Sequence, residues 1–300
     1  MNKVVKLAPV VKSYIWGGEY FQKFGKSDLD IVSELWELSV RENENSIIKS
    51  GEEQGKALKD VLTAEDIGER GKEFPYFPLL IKLIDAKENL SIQVHPSDDY
   101  ALKNENSFGK CEMWYIIDAD SGCGLYVGLN RKYEKQEIEN RLLNGTLLEA
   151  LNFYEVKPGD SFIITPGTIH AIGKGVRLLE IQQNSDLTYR LYDYNRLDKN
   201  GQPRALHIKK GLDVTDLNKF EPSKNDQQYI AKNKYFTVIR KEINGELNLT
   251  ADASSFKCFT FIEGEGFVDD IPYQRFDTFF LPSNCACQIK GTGTIIVSSI

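Results

Sequence analysis

A mainly β fold, a sandwich or barrel with few helices, is what this sequence of 300 residues predicts, and three observations predict it. Short apolar runs recur between glycine, proline and asparagine turns. One run, LSIQVHPSDD at 90–99, alternates Leu90, Ile92 and Val94 with Ser91, Gln93 and His95 before Pro96 ends it. That is the period of a strand with one apolar and one polar face. Finally, VKPGDSFIITPG at 156–167 is echoed by QRFDTFFLPSN at 274–284, as two related β units would produce.

Taken in chain order, the opening MNKVVKLAPVVKSYIW has no long apolar core followed by a small-residue cleavage site, and no later stretch has the length of a membrane span. A cytoplasmic location is expected. Residues 56–71, KALKDVLTAEDIGERG, predict a short helix. Residues 131–151 predict a stronger one: Ile138 and Leu142, then Leu147 and Leu151, are spaced by four, with NGT breaking the run between the pairs. EMWYIIDA, SFIITP, VRLLEIQ, YFTVIRKEI, CFTFIEGEG and TIIVSSI predict strands. The polar stretch NKFEPSKNDQQ at 218–228 divides the chain into an expected unit 1–220 and a second, 225–300. The second has no histidine, so it cannot repeat a histidine site found in the first.

Composition narrows the function. The hydrophobic fraction of 41% and charged fraction of 27% are ordinary for a soluble globular protein, and a formal charge of −7 argues against general nucleic-acid affinity. The five cysteines are odd in number and form no CxxC pair, so reduced structural thiols are expected. No G-x-G-x-x-G stands at a strand-to-helix junction, and there is no P-loop.

The polar face of 91–95 then gains meaning. His95 is followed by Glu112 at the head of EMWYII, and by His170 just after a Pro-Gly turn in PGTIHAIGKG. Gln93 is one pleat period from His95 and shares its face. Two imidazoles and a carboxylate on neighbouring strands suit zinc or a similar divalent metal with a position left open. Spacing alone leaves two satisfied histidines equally open as an explanation. His207, in PRALHIKKGLD, reads as a satisfied residue, and Arg190 can be read as a surface ion pair with Asp186 or Asp193.

The segment GDSFIITPGTIH, Gly159 to His170, is similar to the second motif of the cupin superfamily. The ordered set SIQVHP, GKCEMWY, PGTIHAIGKG and EIQQNSDLTYRLYD is narrower. It closely resembles the type I mannose-6-phosphate isomerases, the short bacterial branch above all, with IWGG at 15–18 and SELWELS at 33–39 similar to the N-terminal motifs of that family. The resemblance covers about residues 7–215. It implies a cupin (jelly-roll) barrel followed by a smaller, degenerate cupin-like C-terminal unit without metal. It implies a metal-dependent aldose–ketose isomerase that interconverts mannose 6-phosphate and fructose 6-phosphate through an enediol or enediolate. The implied cofactor is one divalent metal, Zn2+, held by His95, Glu112 and His170, with Gln93 the less firm fourth ligand. Arg190 falls on the active-site arginine, Asp186 on a proposed acid–base aspartate, Ser91 on a substrate-lining serine and Lys110 on a lysine at the site mouth. The implied partner is a sugar phosphate, with no nucleic acid or membrane, in a monomer or homodimer.

The sequence does not choose a base among Asp186, Glu180 and Lys110. RLYDYNR follows the arginine where larger relatives have a small-residue turn, which leaves the phosphate clamp undefined. The rival readings are another metal-cupin enzyme, such as an oxygenase or a different sugar-phosphate isomerase, and a non-catalytic sugar-binding protein that keeps the fold.

Overall fold

The apolar runs form strands where their period places them, in a computed structural model that describes residues 1–197, 201–222 and 228–300. EMWYIIDA is the strand Glu112–Ala119, and SFIITP and VRLLEIQ supply Ser161–Ile164 and Val176–Gln183. These three, with Leu79–Ala86, Glu34–Leu38 and Val10–Lys12, make a six-stranded antiparallel sheet. A five-stranded sheet faces it, in the order Tyr189–Tyr192, Ile92–Val94, His170–Ile172, Gly124–Leu129 and Leu151–Glu155. The ladders do not run from one sheet into the other. The expected barrel is therefore an open jelly roll, two facing sheets with the site between them.

The third, eight-stranded sheet holds most of the C-terminal residues. Its long strands Thr237–Thr250, Lys257–Val268 and Ala286–Ser299 are extended by Thr278–Leu281, then Val5–Ala8, and at the edge Ile47–Ile48. The sheet thus draws on both ends of the chain. Of the stretch 218–228 expected to divide the units, residues 223–227 lie outside the described residues.

The six-stranded sheet is the middle layer. On one face Leu79, Ile81, Leu83, Met113, Leu179 and Ile181 pack with Phe256, Cys258 and Phe280 of the C-terminal sheet. On the other, Ile84, Trp114, Ile116 and Leu178 meet Leu125, Val127 and Ile172 of the five-stranded sheet. Both faces being covered, Leu79–Ala86 is buried at all 8 positions, and its sequence is a near-continuous apolar run.

The helices are shorter than their sequences suggest. Residues 56–71 form two single turns, Leu58–Val61 and Ala64–Ile67, the second closed by a capping box between Thr63 and Asp66. The stronger pattern gives Lys135–Leu143, then a break at Gly145 (φ 71°), then the 3-10 turn Leu147–Ala150. A further helix, Asp98–Glu105, starts shortly after the 92–94 strand; the Ser97 hydroxyl caps it and Asp98 and Asp99 occupy its first turn.

The sequence echo is a repeated turn. In the first copy the Asp160 carboxylate accepts from the Lys157 N–H at 2.9 Å, and Gly159 N–H reaches Ile116 O at 2.9 Å. In the second, the Asp277 carboxylate accepts from the Gln274 N–H at 2.8 Å, and Phe276 N–H reaches Phe261 O at 2.7 Å. Gly159 and Phe276 both sit in the left-handed region, at φ 93° and 67°.

One group between the layers is out of place in an apolar seam. Glu37, 1% exposed, stands where the ladder of Glu34–Leu38 shifts register, and its Oε1 has no hydrogen-bond partner. Burial raises its carboxyl from 4.5 to about 8, against the pull of Lys26 and a hydrogen bond from Thr278. The folded protein thus keeps this proton over a range where the unfolded chain has lost it, so the Glu37 contribution falls as pH rises from about 4.5 to about 8. Glu37→Gln should remove that dependence. The melting-temperature difference, variant minus wild type, should climb across the window and level off above it, by an amount equivalent to a few kcal/mol. A flat difference from pH 5 to 9 would show that Glu37 is ionised throughout.

Candidate active site

The two facing sheets bring the candidate ligands to one point. His95 lies one residue beyond the strand Ile92–Val94, and His170 opens the strand beside it in the five-stranded sheet. Glu112 opens its strand in the sheet opposite. One side-chain donor atom from each of the three falls within 4.8 Å of the others, and all three residues are buried. Glu112 Oε2 is 3.5 Å from His95 Nε2, and Oε1 is 3.3 Å from His170 Nε2.

The backbone fixes how these rings present themselves. His95 Nδ1 lies 3.0 Å from Leu187 O and His170 Nδ1 lies 2.8 Å from Thr168 O. A carbonyl only accepts, so each Nδ1 carries the proton and each Nε2 carries a lone pair directed inward. Burial, with Lys110 adding to it, lowers the His95 pKa to about 3, and burial lowers that of His170, so both rings are neutral near pH 7. Burial alone would raise the Glu112 carboxyl, but the Lys110 ammonium holds it well below the usual range. His95 Nε2 and both Glu112 oxygens have no hydrogen-bond partner. Such orphaned buried acceptors are costly unless something positive meets them. The chemistry of the set, two neutral imidazoles and a carboxylate, fits a divalent metal.

Gln93 is the cross-strand neighbour of His170, and its amide nitrogen lies 3.4 Å from His170 Nε2. A half-turn of the amide would bring Oε1 to the same place, where it could serve as a fourth ligand. Ser91, one pleat earlier, is within 3.4 Å of that amide.

A buried charge network extends from this point along the six-stranded sheet. Lys110 Nζ is 2.7 Å from Glu112 Oε2 and 4.0 Å from Glu180 Oε1. The first is a close ion pair whose geometry is not that of a hydrogen bond. Lys82 Nζ lies 3.1 Å from Glu180 Oε1 and 3.7 Å from Glu34 Oε2. Trp114 Nε1 donates to the other Glu180 oxygen at 2.9 Å, and Trp36 Nε1 to Glu34 at 2.6 Å. Burial would lower the Lys82 pKa, but Glu180 and Glu34 hold it above its ordinary value.

Lys110, Glu180, Lys82 and Glu34 line a cleft of about 340 Å³ together with Tyr14, Trp16, Trp36, Arg190 and Arg204. Arg190 is the cross-strand partner of Gln93, so it stands two strands from His170 on the same sheet. Its backbone N–H donates to His207 Nδ1 at 3.2 Å, which gives His207 a supporting role away from the ligands. Asp186 is at the rim: its carboxylate is 71% exposed and paired with Arg41 at 2.7 Å. Lys82, Glu34 and Arg204 were not singled out by the sequence. The signal for Lys82 was a lone charge within LLIKLIDA, an otherwise apolar strand until its aspartate.

The family model for the phosphomannose isomerase type I catalytic domain matches residues 4–117. Two proteins of Bacillus subtilis (strain 168), YvyI and the mannose-6-phosphate isomerase ManA, are 37% and 35% identical to this chain; the alignments cover 98% and 97% of it and the same shares of those proteins. The crystal structure of mannose 6-phosphate isomerase from Bacillus subtilis is similar at a TM-score of 0.91 and 36% identity, covering 99% of this chain and 100% of that one. At 16% identity, the apo form of mannose 6-phosphate isomerase from Salmonella typhimurium shares the fold, with a TM-score of 0.78 over 99% of each chain.

If the three convergent side chains hold one ion, His95→Ala and His170→Ala should each purify with little or no metal by elemental analysis while retaining β-type circular dichroism. Gln93→Ala should weaken retention without abolishing it. Full metal occupancy in His170→Ala would remove that residue from the ligand set.

Proposed function

The chain belongs to the phosphomannose isomerase type I family, and from that premise we propose that it is a metal-dependent aldose–ketose isomerase interconverting mannose 6-phosphate and fructose 6-phosphate. One observation carries the reading. The donor atoms of His95, Glu112 and His170 converge at one buried point, and Gln93 and Lys110, which touch that set, line the same cleft as Arg190. The buried set suits a cation that grips sugar oxygens, and Arg190 suits the phosphate at the far end of the same sugar.

A divalent ion held by His95, Glu112 and His170, with Gln93 as fourth group, would act as a Lewis acid toward the oxygen that gains negative charge; the donor set favours zinc. The chain's own residues do the rest. A proton moves between C1 and C2, and a base must stand within reach of it. Lys110 and Glu180 are the interior candidates: they line the cleft 4.0 Å from each other, and Lys110 touches Glu112. The bond from Trp114 fixes the Glu180 carboxyl plane, and Lys82 keeps a compensating charge beside it. We therefore assign the proton transfer to Lys110 and Glu180, and to Asp186 the holding of Arg41 at the rim. Ser91 offers its hydroxyl to the sugar, while Trp16 and Trp36 wall the cleft and restrict water.

The reading places the protein in the cytoplasm as a monomer or homodimer acting on a soluble sugar phosphate. No helix among the described residues is long and apolar enough to cross a membrane, and the net charge of −7 disfavours nucleic acid.

A coupled assay tests the activity. Mannose 6-phosphate should be converted to fructose 6-phosphate, chelator should abolish turnover, and added zinc should restore it. Absence of turnover in the metal-loaded protein would refute the reading. Glu180→Gln and Lys110→Ala should each lower kcat by about 10²–10⁴-fold, while Asp186→Asn should stay within about tenfold of wild type. Arg190→Ala should raise KM and also lower kcat, because placing the carbon chain beside the ion contributes to the barrier. Arg190→Lys should recover only part, since it restores the charge without the planar fork.

A further inference from the structure

The segment that follows Arg190 gathers three arginines, Arg190, Arg196 and Arg204, around one buried carboxylate among the described residues, Asp193, which is 4% exposed. Arg204 grips Asp193 with two donors, Nε to Oδ2 at 2.6 Å and Nη2 to Oδ1 at 2.5 Å. Arg196 bonds the same Oδ1 through Nη2 and sends Nη1 to Asn89 O at 2.5 Å. Both oxygens of Asp193 are thus used within the segment. Arg196 is tied down between Asp193 and Asn89, and it is not among the residues that line the cleft.

Arg204 does line the cleft. The Asp193 fork holds one edge of its guanidinium, and Nη1, on the opposite edge, has no hydrogen bond to a described residue. Arg190 is arranged in the same way. Its Nη1 donates to Ala205 O at 3.0 Å, next to Arg204 in the chain, while its buried Nε has no partner among the described residues. Each guanidinium is therefore anchored along one side, and among the described residues Arg204 Nη1 and Arg190 Nε take no hydrogen bond. Among the described residues three arginines meet this one buried carboxylate, a local excess of positive charge in a chain whose net charge is −7. The turn between them holds Tyr194 and Asn195 both at φ 55°, a strained pair for residues other than glycine.

We infer that Arg204 is a second cation for the phosphate of the substrate, acting with Arg190, and that Asp193 is the positioning residue that aims it. This rests on the reading of the substrate as a sugar phosphate. Arg190 is two strands from His170, a separation of roughly 10 Å at ordinary strand spacing, comparable with the reach from the carbonyl carbon of an open-chain hexose to a phosphate on its sixth carbon. A bidentate arginine pair also matches the tetrahedral oxygens of a phosphate dianion. Arg190, Asp193 and Arg204 then supply the clamp that RLYDYNR left undefined in the sequence.

Inorganic phosphate is the probe, titrated calorimetrically into the full-length, metal-loaded protein, with steady-state kinetics alongside. Phosphate should bind wild type in competition with mannose 6-phosphate. Arg204→Ala should weaken phosphate binding at least tenfold and raise KM by a similar factor, with a much smaller fall in kcat; Arg204→Lys should recover part of both. Asp193→Asn should also weaken phosphate binding, and combining it with Arg204→Ala should add little, because the carboxylate acts through that arginine. Arg204→Ala that melts like wild type and binds phosphate equally well would overturn the assignment, as would a wild type that binds no phosphate. A wild type that binds phosphate through Arg204 but does not turn over mannose 6-phosphate would refute the isomerase reading and leave the clamp standing.

Discussion

Five charges without free access to water govern the space between the two catalytic sheets. Glu112, Lys110, Glu180, Lys82 and Glu34 are all at or below 9% exposure, and they alternate in sign along one face of the six-stranded sheet. Removing either lysine would leave uncompensated interior carboxylates, a loss of about 3–5 kcal/mol. The network therefore holds its members in place jointly. It also prevents the facing sheet from closing down, because apolar side chains packed over these groups would strip them of their remaining solvation. The cleft exists because this face could not be covered.

The opposite face of the same sheet shows what happens without such charges. There Ile81, Leu83, Met113 and Ile181 are sealed by Phe256 and Phe280 of the C-terminal sheet. One sheet thus carries a wet, charged side and a dry side. Rigidity on the dry side supports the precision of the other, since strands gripped across a buried face cannot shift register without moving every apolar residue to the wrong layer. The pairing of Val5–Ala8 with Thr278–Leu281 extends this dry layer across the sequence from its first strand to its last unit.

The strands were legible because apolar runs punctuated by glycine and proline have few other solutions, and His95, Glu112 and His170 were legible because histidine is scarce in this chain. Gln93 was readable through its shared pleat with His95. Lys82 and Glu34 were not, because their meaning depends on register: Lys82 meets Glu180 only through the pairing of two strands far apart in sequence. Arg204 was hidden for a related reason. It lines the cleft while gripped by Asp193, which stands earlier in the chain, and no periodicity announces such a return. Helix lengths were overstated where apolar spacing continued past a glycine, as at Gly145. The 98–105 helix went unread although Ser97 and the aspartates after it form a ready start signal.

The repeated turn has a consequence for how the two halves tolerate change. At Gly159 the left-handed backbone meets open space, so a glycine there is unstrained and a side chain would bring only backbone cost. At Phe276 the same backbone is occupied by a large ring, packed edge-on against Phe21 at 5.3 Å and Phe24 at 4.9 Å. The conformation is unfavourable for phenylalanine by roughly 1–3 kcal/mol, and the aromatic contacts must outweigh it. Drift at position 159 is thus limited by the peptide chain, whereas drift at 276 is limited by its neighbours. The same turn is thus held by a conformational restriction at 159 and by packing at 276, where the ring rivets the C-terminal sheet to the segment Phe21–Phe24.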